Sequence, residues 1–166
     1  MNKKGVTIST MAIAITIIMF LAGFSVMFGT GSIEASNIDK LNSVLDIVED
    51  NTNLYYLENK TYPVLLKEDG SKEKVSVKTL DENFKKQIAT VDKAAIELTV
   101  LDMKKLKIPN LEIGSAGYLY NTNLTQKEII DSKDVFLLNE NTGTVYYYKG
   151  IKFKGDRVYT NIENTK

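Results

Sequence analysis

The chain has 166 residues, with 21 basic and 21 acidic side chains and no histidine, cysteine or tryptophan. The lack of histidine and cysteine excludes most zinc sites, thiol nucleophiles and Ser-His triads, and it leaves the fold without disulfides. Chemistry could rest only on carboxylates, lysine, tyrosine or hydroxyls, which favours a protein that is not an enzyme and needs no cofactor. The balanced charge leaves no basic excess to attract nucleic acid.

The N-terminal segment joins a short basic leader to a long uncharged run. No residue between Gly5 and Ile33 is charged, and the most apolar part has the sequence MAIAITIIMFLAGFSVMF. A transmembrane helix needs about 20 mostly apolar residues, whereas the apolar part of a cleaved secretory signal needs roughly 7–15. We therefore predict a transmembrane helix over 6–30 in preference to a removed signal. Because Lys3 and Lys4 precede this run, the N-terminus is expected in the cytoplasm and the remaining chain across the membrane.

A second helical pattern follows the apolar run over 31–60. Its apolar residues recur at spacings of three and four, which is typical of an amphipathic helix; they are Ile38, Leu41, Val44/Leu45, Val48 and Tyr55. The helix is predicted to end near Glu58–Lys60, because Tyr62-Pro63 favours an extended backbone. A continuous helix from Val6 to Leu57 would have 52 residues and a length of about 78 Å.

Residues 61–166 are predicted to form one small extracytoplasmic α+β head. Its C-terminal part alternates β-rich runs with turn-forming residues, which predicts an antiparallel meander that packs on the helix stripe. The four predicted strands are Val135–Leu138, Val145–Tyr148, Ile151–Phe153 and Val158–Thr160. Before them, the pattern predicts strands at Val75–Val77 and Ile96–Val100 and short helices at Asp81–Gln87 and Asp102–Leu106.

The leader and the C-terminal part carry a resemblance to a known family. The leader NKKG ends in glycine and precedes a long apolar helix, and the C-terminal part contains DVFLLNENTGTVYYYKG. Together they resemble the type IV pilin and pseudopilin family, including pilin-like type II secretion proteins of Gram-positive bacteria. The resemblance implies an α+β fold in which a long N-terminal helix, transmembrane in its first half and amphipathic in its second, packs on a small antiparallel β-sheet head.

The same resemblance implies a maturation pathway. A prepilin peptidase would cut the leader peptide, residues 1–5, between Gly5 and Val6, and Val6 would be methylated at its new N-terminus. The chain would lie in the bacterial cytoplasmic membrane and then move into a cell-surface filament. Its partners would be copies of itself or related pilins, with the assembly platform protein and the assembly ATPase acting indirectly.

Small and hydroxylated residues in the apolar segment are compatible with close packing in the core of a filament. Helices in a membrane or a filament core associate through close packing of such residues, since apolar surface alone gains nothing over lipid. The predicted packing residues are Ala12, Ala14, Thr16, Ala22, Gly23 and Ser25.

One position departs from the family pattern. The family usually has a glutamate at the fifth position after the cut, where it pairs with the positive N-terminus of a neighbour, and this chain has Thr10. A neutral hydroxyl gives a weaker hydrogen bond than a carboxylate. We therefore predict a minor or atypical subunit.

Other motifs in the head have simpler interpretations. Asp131 and Asp134 are weak calcium candidates, but their spacing matches no defined calcium loop, so turn formation is the main prediction. The run Tyr146-Tyr147-Tyr148 is predicted to alternate between two faces of a strand and to pack in the core, with surface adhesion as the alternative. The lysines of KKLK (Lys104, Lys105 and Lys107) are predicted to lie on a solvated helix face.

Two other functional classes remain as alternatives. The first is a single-pass membrane-anchored binding domain that does not polymerise. The second is an extracytoplasmic hydrolase with paired carboxylates, which is disfavoured because no acidic pair lies in an apolar context that would raise its pKa.

Overall fold

A computed structural model describes residues 35–108, 111 and 125–161. The predicted leader, the predicted transmembrane helix and the predicted site residues Gly5, Val6 and Thr10 lie outside the described residues. The same holds for the predicted packing residues Ala12, Ala14, Thr16, Ala22, Gly23 and Ser25. The chain divides after Ser36 into two units, and the elements beyond that residue belong to the second, Asn37–Lys166.

The first described element is helix α1, which covers 35–59. Its predicted apolar stripe is confirmed from Ile38 to Val48: Leu41, Leu45 and Val48 are fully buried in the core, together with Ile38 and Val44. Tyr55 is only partly buried against that core. The predicted end is confirmed as well, because Lys60 adopts a left-handed backbone with φ 56°. The Lys60 N–H still reaches the carbonyl of Tyr56 at 2.8 Å, which closes the last turn.

The main sheet has four antiparallel strands in the order β1-β2-β3-β4. They are β1 (Lys74–Ser76), β2 (Glu97–Val100), β3 (Phe136–Leu138) and β4 (Val145–Tyr147). In the register of the ladder, Val75 faces Leu98, Thr99 faces Leu138, and Leu137 faces Tyr146. The strands predicted at Val75–Val77, Ile96–Val100, Val135–Leu138 and Val145–Tyr148 are thus present within about one residue at either end.

The last two strands form a separate two-stranded sheet, β5 (Ile151–Phe153) with β6 (Asp156–Val158). The prediction of one continuous C-terminal meander is therefore wrong, as is the placement of the last strand at Val158–Thr160. The hairpin is separate because Tyr159, whose carbonyl accepts a hydrogen bond from the Tyr147 N–H, occupies the outer edge of β4. The early start of β6 is caused by the turn at Lys154 and Gly155, where φ is 50° and 89°. Two residues at positive φ make a tight hairpin turn, which pairs Phe153 with Asp156 and starts β6 earlier than predicted.

The residues after β6 cover the outer edge of β4. The N–H of Tyr147 donates to the carbonyl of Tyr159 at 2.8 Å, although Tyr159 lies outside any strand. Pairing of this kind removes free backbone groups from the edge of a sheet.

Side-chain caps define the helices of the head. Helix α2 (Glu82–Val91) begins at Asp81, whose Oδ1 accepts a hydrogen bond from the N–H of Phe84, and α3 (Met103–Leu106) begins at Asp102 in the same way. A 3₁₀ turn, Val77–Thr79, separates β1 from α2. Both helices are predicted at these places, and α2 extends one turn further than the predicted end at Gln87.

Helix α4 (Gln126–Asp131) has no counterpart among the predictions. Thr125 and Glu128 form a capping box, in which each side chain accepts a hydrogen bond from the other's backbone N–H. The sequence TQKE is the pattern typical of such a box, so the start of this helix could have been predicted.

One core joins these elements. The stripe of α1 shares a single cluster with the strands of the main sheet and with Phe84 and Ile88 of α2. The predicted α+β class, a helix packed on an antiparallel sheet, is confirmed. Among the residues that the structure describes, no helix has the length and apolar character to cross a membrane.

Candidate functional site

The side of α1 that faces away from the core carries three exposed apolar residues. Ile47, Leu54 and Leu57 are 44%, 56% and 62% exposed. With about 100° of rotation per residue, they lie on one face of α1, opposite the buried stripe. We name the residues Ile47, Asp50, Leu54, Leu57 and Glu58 the outer face of α1.

The charge on the outer face is of one sign. Asp50 and Glu58 flank the apolar residues, and no basic residue occurs from Leu41 to Asn59. Residues three and four apart on a helix are neighbours, so Asp50 lies beside Leu54, and Leu54 lies beside Glu58. The outer face therefore combines exposed leucines with carboxylates.

Polar contacts between α1 and the head fix the orientation of the outer face. Asn161 donates from Nδ2 to Oδ1 of Asp46 at 2.8 Å. On the flank of the helix, burial raises the pKa of Glu49, the nearby carboxylates of Asp46 and Asp50 raise it further, and a hydrogen bond from the Val145 N–H lowers it in part. With one face of α1 held in the core in this way, the outer face is left available to another molecule.

The outer face does not appear among the sequence predictions. Its apolar residues stand outside the spacing that defines the core stripe, and Ile47 and Leu54 are seven residues apart, two turns of a helix. The apolar residues of α1 that lie outside the core stripe are the sequence signal for this second face.

The weak calcium candidates do not come together as a site. Asp131 is exposed at the end of α4, whereas Asp134 accepts a hydrogen bond from the hydroxyl of Tyr147 at 2.7 Å. Within the described ranges, no group of three or more acidic side chains is arranged to hold a metal ion. Asp134 therefore has a structural partner in the tyrosine run.

The tyrosine run packs as predicted for the core. Tyr146 and Tyr148 both lie near the ring of Phe84, at 5.7 and 6.3 Å between centroids, whereas Tyr147 lies 5.6 Å from Phe136. Tyr146 and Tyr147 are buried, and burial is the main cause of the raised pKa of each hydroxyl. Their side chains are thus not available for surface adhesion.

The lysines of the KKLK segment are solvated, as predicted. Lys104 and Lys105 are exposed on α3, and Lys107 is exposed at its C-terminal cap. Lys105 donates to the carbonyl of Val64 at 3.1 Å, which ties this short helix to the chain before β1.

No known protein family, curated protein or solved structure matches this chain.

Proposed function

We propose that the chain is a pilin-like structural subunit of a type IV pilus or a type II secretion-like filament. The observation that carries the proposal is the two-sided α1, which buries one apolar face in the head and exposes a second. A subunit whose helices pack against those of its neighbours, with the heads outside, needs a helix of this kind. Leu54 and Leu57 are 56% and 62% exposed, so burial of either one in such a packing stabilises it by roughly 1–2 kcal/mol, a little over half of the value for a fully exposed side chain.

The N-terminal segment supplies the other part of the proposal. In the membrane the predicted helix over 6–30 is surrounded by lipid, and in the filament it is surrounded by copies of itself. The exchange is feasible because small residues such as Ala14 and Gly23 let helices approach closely in an apolar environment. Prepilin peptidase would release the leader before this exchange, and the assembly platform and its ATPase would drive it.

Thr10 supports the assignment as a minor or atypical subunit. A carboxylate in an apolar environment needs a positive partner, and a neighbouring N-terminus would provide one in a filament. Thr10 is uncharged, so it carries neither the free-energy cost of a carboxylate in lipid nor the attraction of that carboxylate to a neighbouring N-terminus. A subunit without that attraction suits a position that does not depend on repeated identical contacts along the fibre.

The mature N-terminus tests the proposal. Mass spectrometry of the chain from sheared surface fibres should find a polypeptide that begins at methylated Val6. Gly5→Leu should block the cut and remove the chain from the fibres, because the peptidase must accommodate the residue before the bond. The control Asn2→Leu places the same bulk elsewhere in the leader and should be processed normally.

The opposite result selects the membrane-anchored binding domain. In that case the chain would be found only as uncut, dispersed molecules in the membrane, fibres would lack it, and Gly5→Leu would change nothing.

A further inference from the structure

A groove on the head lies between α2 and the start of β2. Its volume is about 400 Å³, and apolar side chains make up most of its lining. We name it the α2 groove and define it by Val77, Lys78, Ala89, Lys93 and Ile96. Ile96 is 68% exposed, and a hydrogen bond of 2.8 Å from the Val77 N–H to the Ile96 carbonyl fixes its backbone. A rigidly held, exposed isoleucine is a suitable contact for another apolar side chain.

The rim of the α2 groove is positive. Lys78 and Lys93 are exposed, and within the described part of the chain neither makes an ion pair. Asp92 also lines the groove, but its carboxylate already accepts hydrogen bonds from the side chains of Asn139 and Asn141 at 3.1 and 3.3 Å. These bonds hold Asp92 to the β3–β4 loop and leave it ionised. Three lysines line the groove beside this one carboxylate, Lys78, Lys85 and Lys93, and Lys85 is paired with Glu82, so the net charge that a partner meets is positive.

The outer face of α1 has the complementary composition. It presents leucines to match an apolar lining and carboxylates to match a lysine rim. Within one molecule the two surfaces cannot meet in this way, because the buried stripe of α1 is fixed in the core of its own head.

We propose that the α2 groove binds the outer face of α1 from a second copy of this chain. Leu54 and Leu57 would contact Ile96, while Asp50 and Glu58 would lie near Lys78 and Lys93. Because the two contacting surfaces differ, a pair of copies leaves one α2 groove and one outer face of α1 free. Such a contact continues into a filament unless the rotation between copies closes a ring. The inference rests on the proposed function for its biological setting, although the contact itself can be measured in membranes without fibres.

Charge reversal tests the contact. Two differently tagged copies of the full chain are expressed together and co-purified from membranes and from sheared fibres. When both copies carry Lys78→Glu with Lys93→Glu, co-purification should fall about tenfold, since like charges oppose each other across an interface. Asp50→Lys with Glu58→Lys in both copies should do the same. When one copy carries the reversed groove and the other carries the reversed α1, co-purification should be restored.

The restoration decides the identity of the partner. An acidic partner other than this chain would lose affinity for the reversed groove, but reversal of α1 would not restore binding between copies. Failure of the combined charge variants to restore co-purification would therefore overturn the proposal.

Cross-linking gives an independent measurement, because the chain has no native cysteine. A chain with both Leu54→Cys and Ile96→Cys should form a ladder of multimers with a short bismaleimide, since every copy carries both contacting positions. Each single variant should give no ladder, and neither should Leu54→Cys combined with Lys127→Cys, which places the second thiol on exposed α4.

The outcomes separate this inference from the proposed function. Ladders in fibres support both, and ladders in membranes from cells without fibres support the contact but overturn the filament function. Fibres without ladders leave the filament function standing and overturn the contact. The absence of both fibres and ladders overturns both.

Discussion

Asn161 and Asp46 are joined by a hydrogen bond of 2.8 Å between side chains that lie 115 residues apart in the chain. Asn161 is buried, and its amide donates to a carboxylate on α1. The contact holds the chain after β6 against α1 and so helps to fix the helix in the head. A bond between such distant residues contributes to the tertiary structure of the whole head.

Asn161→Ala should therefore lower the free energy of unfolding by about 1–2 kcal/mol, because it removes a buried donor to a charged acceptor. Urea unfolding of the full chain in detergent micelles would measure the change. Asn59→Ala is the control: Asn59 donates to Tyr55 within the same helix and is exposed, so its loss should cost less than about 0.5 kcal/mol. Equal effects of the two variants would contradict the role given to Asn161.

The turn between β4 and β5 requires a glycine at position 150. Gly150 has φ +62°, and a Cβ there would lie 2.6 Å from two atoms of the Tyr159 ring. That ring cannot move easily, because it stacks on Phe84 with the centroids 4.1 Å apart. Gly150→Ala should destabilise the fold by about 2–5 kcal/mol, the sum of left-handed strain and a steric clash.

Gly155→Ala separates the two causes in the same assay. Gly155 also has a positive φ, +89°, but nothing lies within 4 Å of the position of a Cβ. Its substitution should cost only the backbone strain, about 1–2 kcal/mol. If Gly150→Ala lowers the free energy of unfolding no more than Gly155→Ala does, the Tyr159 ring moves to make room for the added methyl group.

Adjacent tyrosines on β4 differ in one hydrogen bond. The hydroxyl of Tyr147 donates to Asp134 at 2.7 Å, whereas the buried hydroxyl of Tyr146 has no hydrogen-bond partner in the described part of the chain. Tyr147→Phe should lower the free energy of unfolding by about 1–3 kcal/mol, while Tyr146→Phe should be neutral or raise it by up to about 1 kcal/mol. Thermal unfolding of the two variants side by side would measure the difference, and a reversed order would contradict this assignment.

Periodicity predicted the parts of the fold that depend on a single buried face. The stripe from Ile38 to Val48 has helical spacing, and the apolar run before Asn139 has strand composition, so α1 and β3 could be predicted from local sequence. Composition also predicted that Tyr146 packs inside, because an aromatic run in a strand must bury at least one face.

Pairing between distant segments could not be predicted from local sequence. β3 pairs with β2, almost forty residues earlier in the chain, and the hairpin of β5 and β6 stands apart from the main sheet. No local pattern encodes that partition, which depends on where Tyr159 meets β4. The outer face of α1 was not predicted because the helical spacing of the core stripe indicates only which residues are buried, and Ile47, Leu54 and Leu57 lie outside that spacing.

Glu49 makes stability depend on pH. Burial raises its pKa above the ordinary value of 4.5, so the folded chain keeps this proton to a higher pH than the unfolded chain does. Stability is therefore lost as the pH rises from 4.5 through the raised pKa. Glu49→Gln should be more stable than the unmodified chain at neutral pH, and the advantage should disappear below pH 4.5.

Urea unfolding over a pH series would check this sign. Asp39→Asn, which removes an exposed carboxylate from the same helix, should change stability by less than about 0.5 kcal/mol. A Glu49→Gln variant that is less stable at neutral pH would show that the ionised carboxylate is favourable where it lies, and the direction assigned here would be wrong.

The outer face of α1 can be tested without disturbing the fold, because its leucines are exposed. Leu54→Lys should leave the free energy of unfolding within about 0.5 kcal/mol of its original value. It should nevertheless reduce the amount of the chain in surface fibres about tenfold or more, since a buried, unpaired ammonium group is costly at a packed interface. Immunoblots of sheared fibres and of membranes would measure the two pools.

Leu66→Lys is the matched control, because Leu66 is 45% exposed and belongs to neither the outer face nor the α2 groove. Both variants add one lysine at an exposed leucine, so a general effect of charge would reduce fibres equally. A selective loss with Leu54→Lys indicates that α1 contacts another subunit through its outer face. Normal fibres from Leu54→Lys would mean that this face stays in solvent after assembly. The exposed apolar residues of α1 would then no longer support the proposed function.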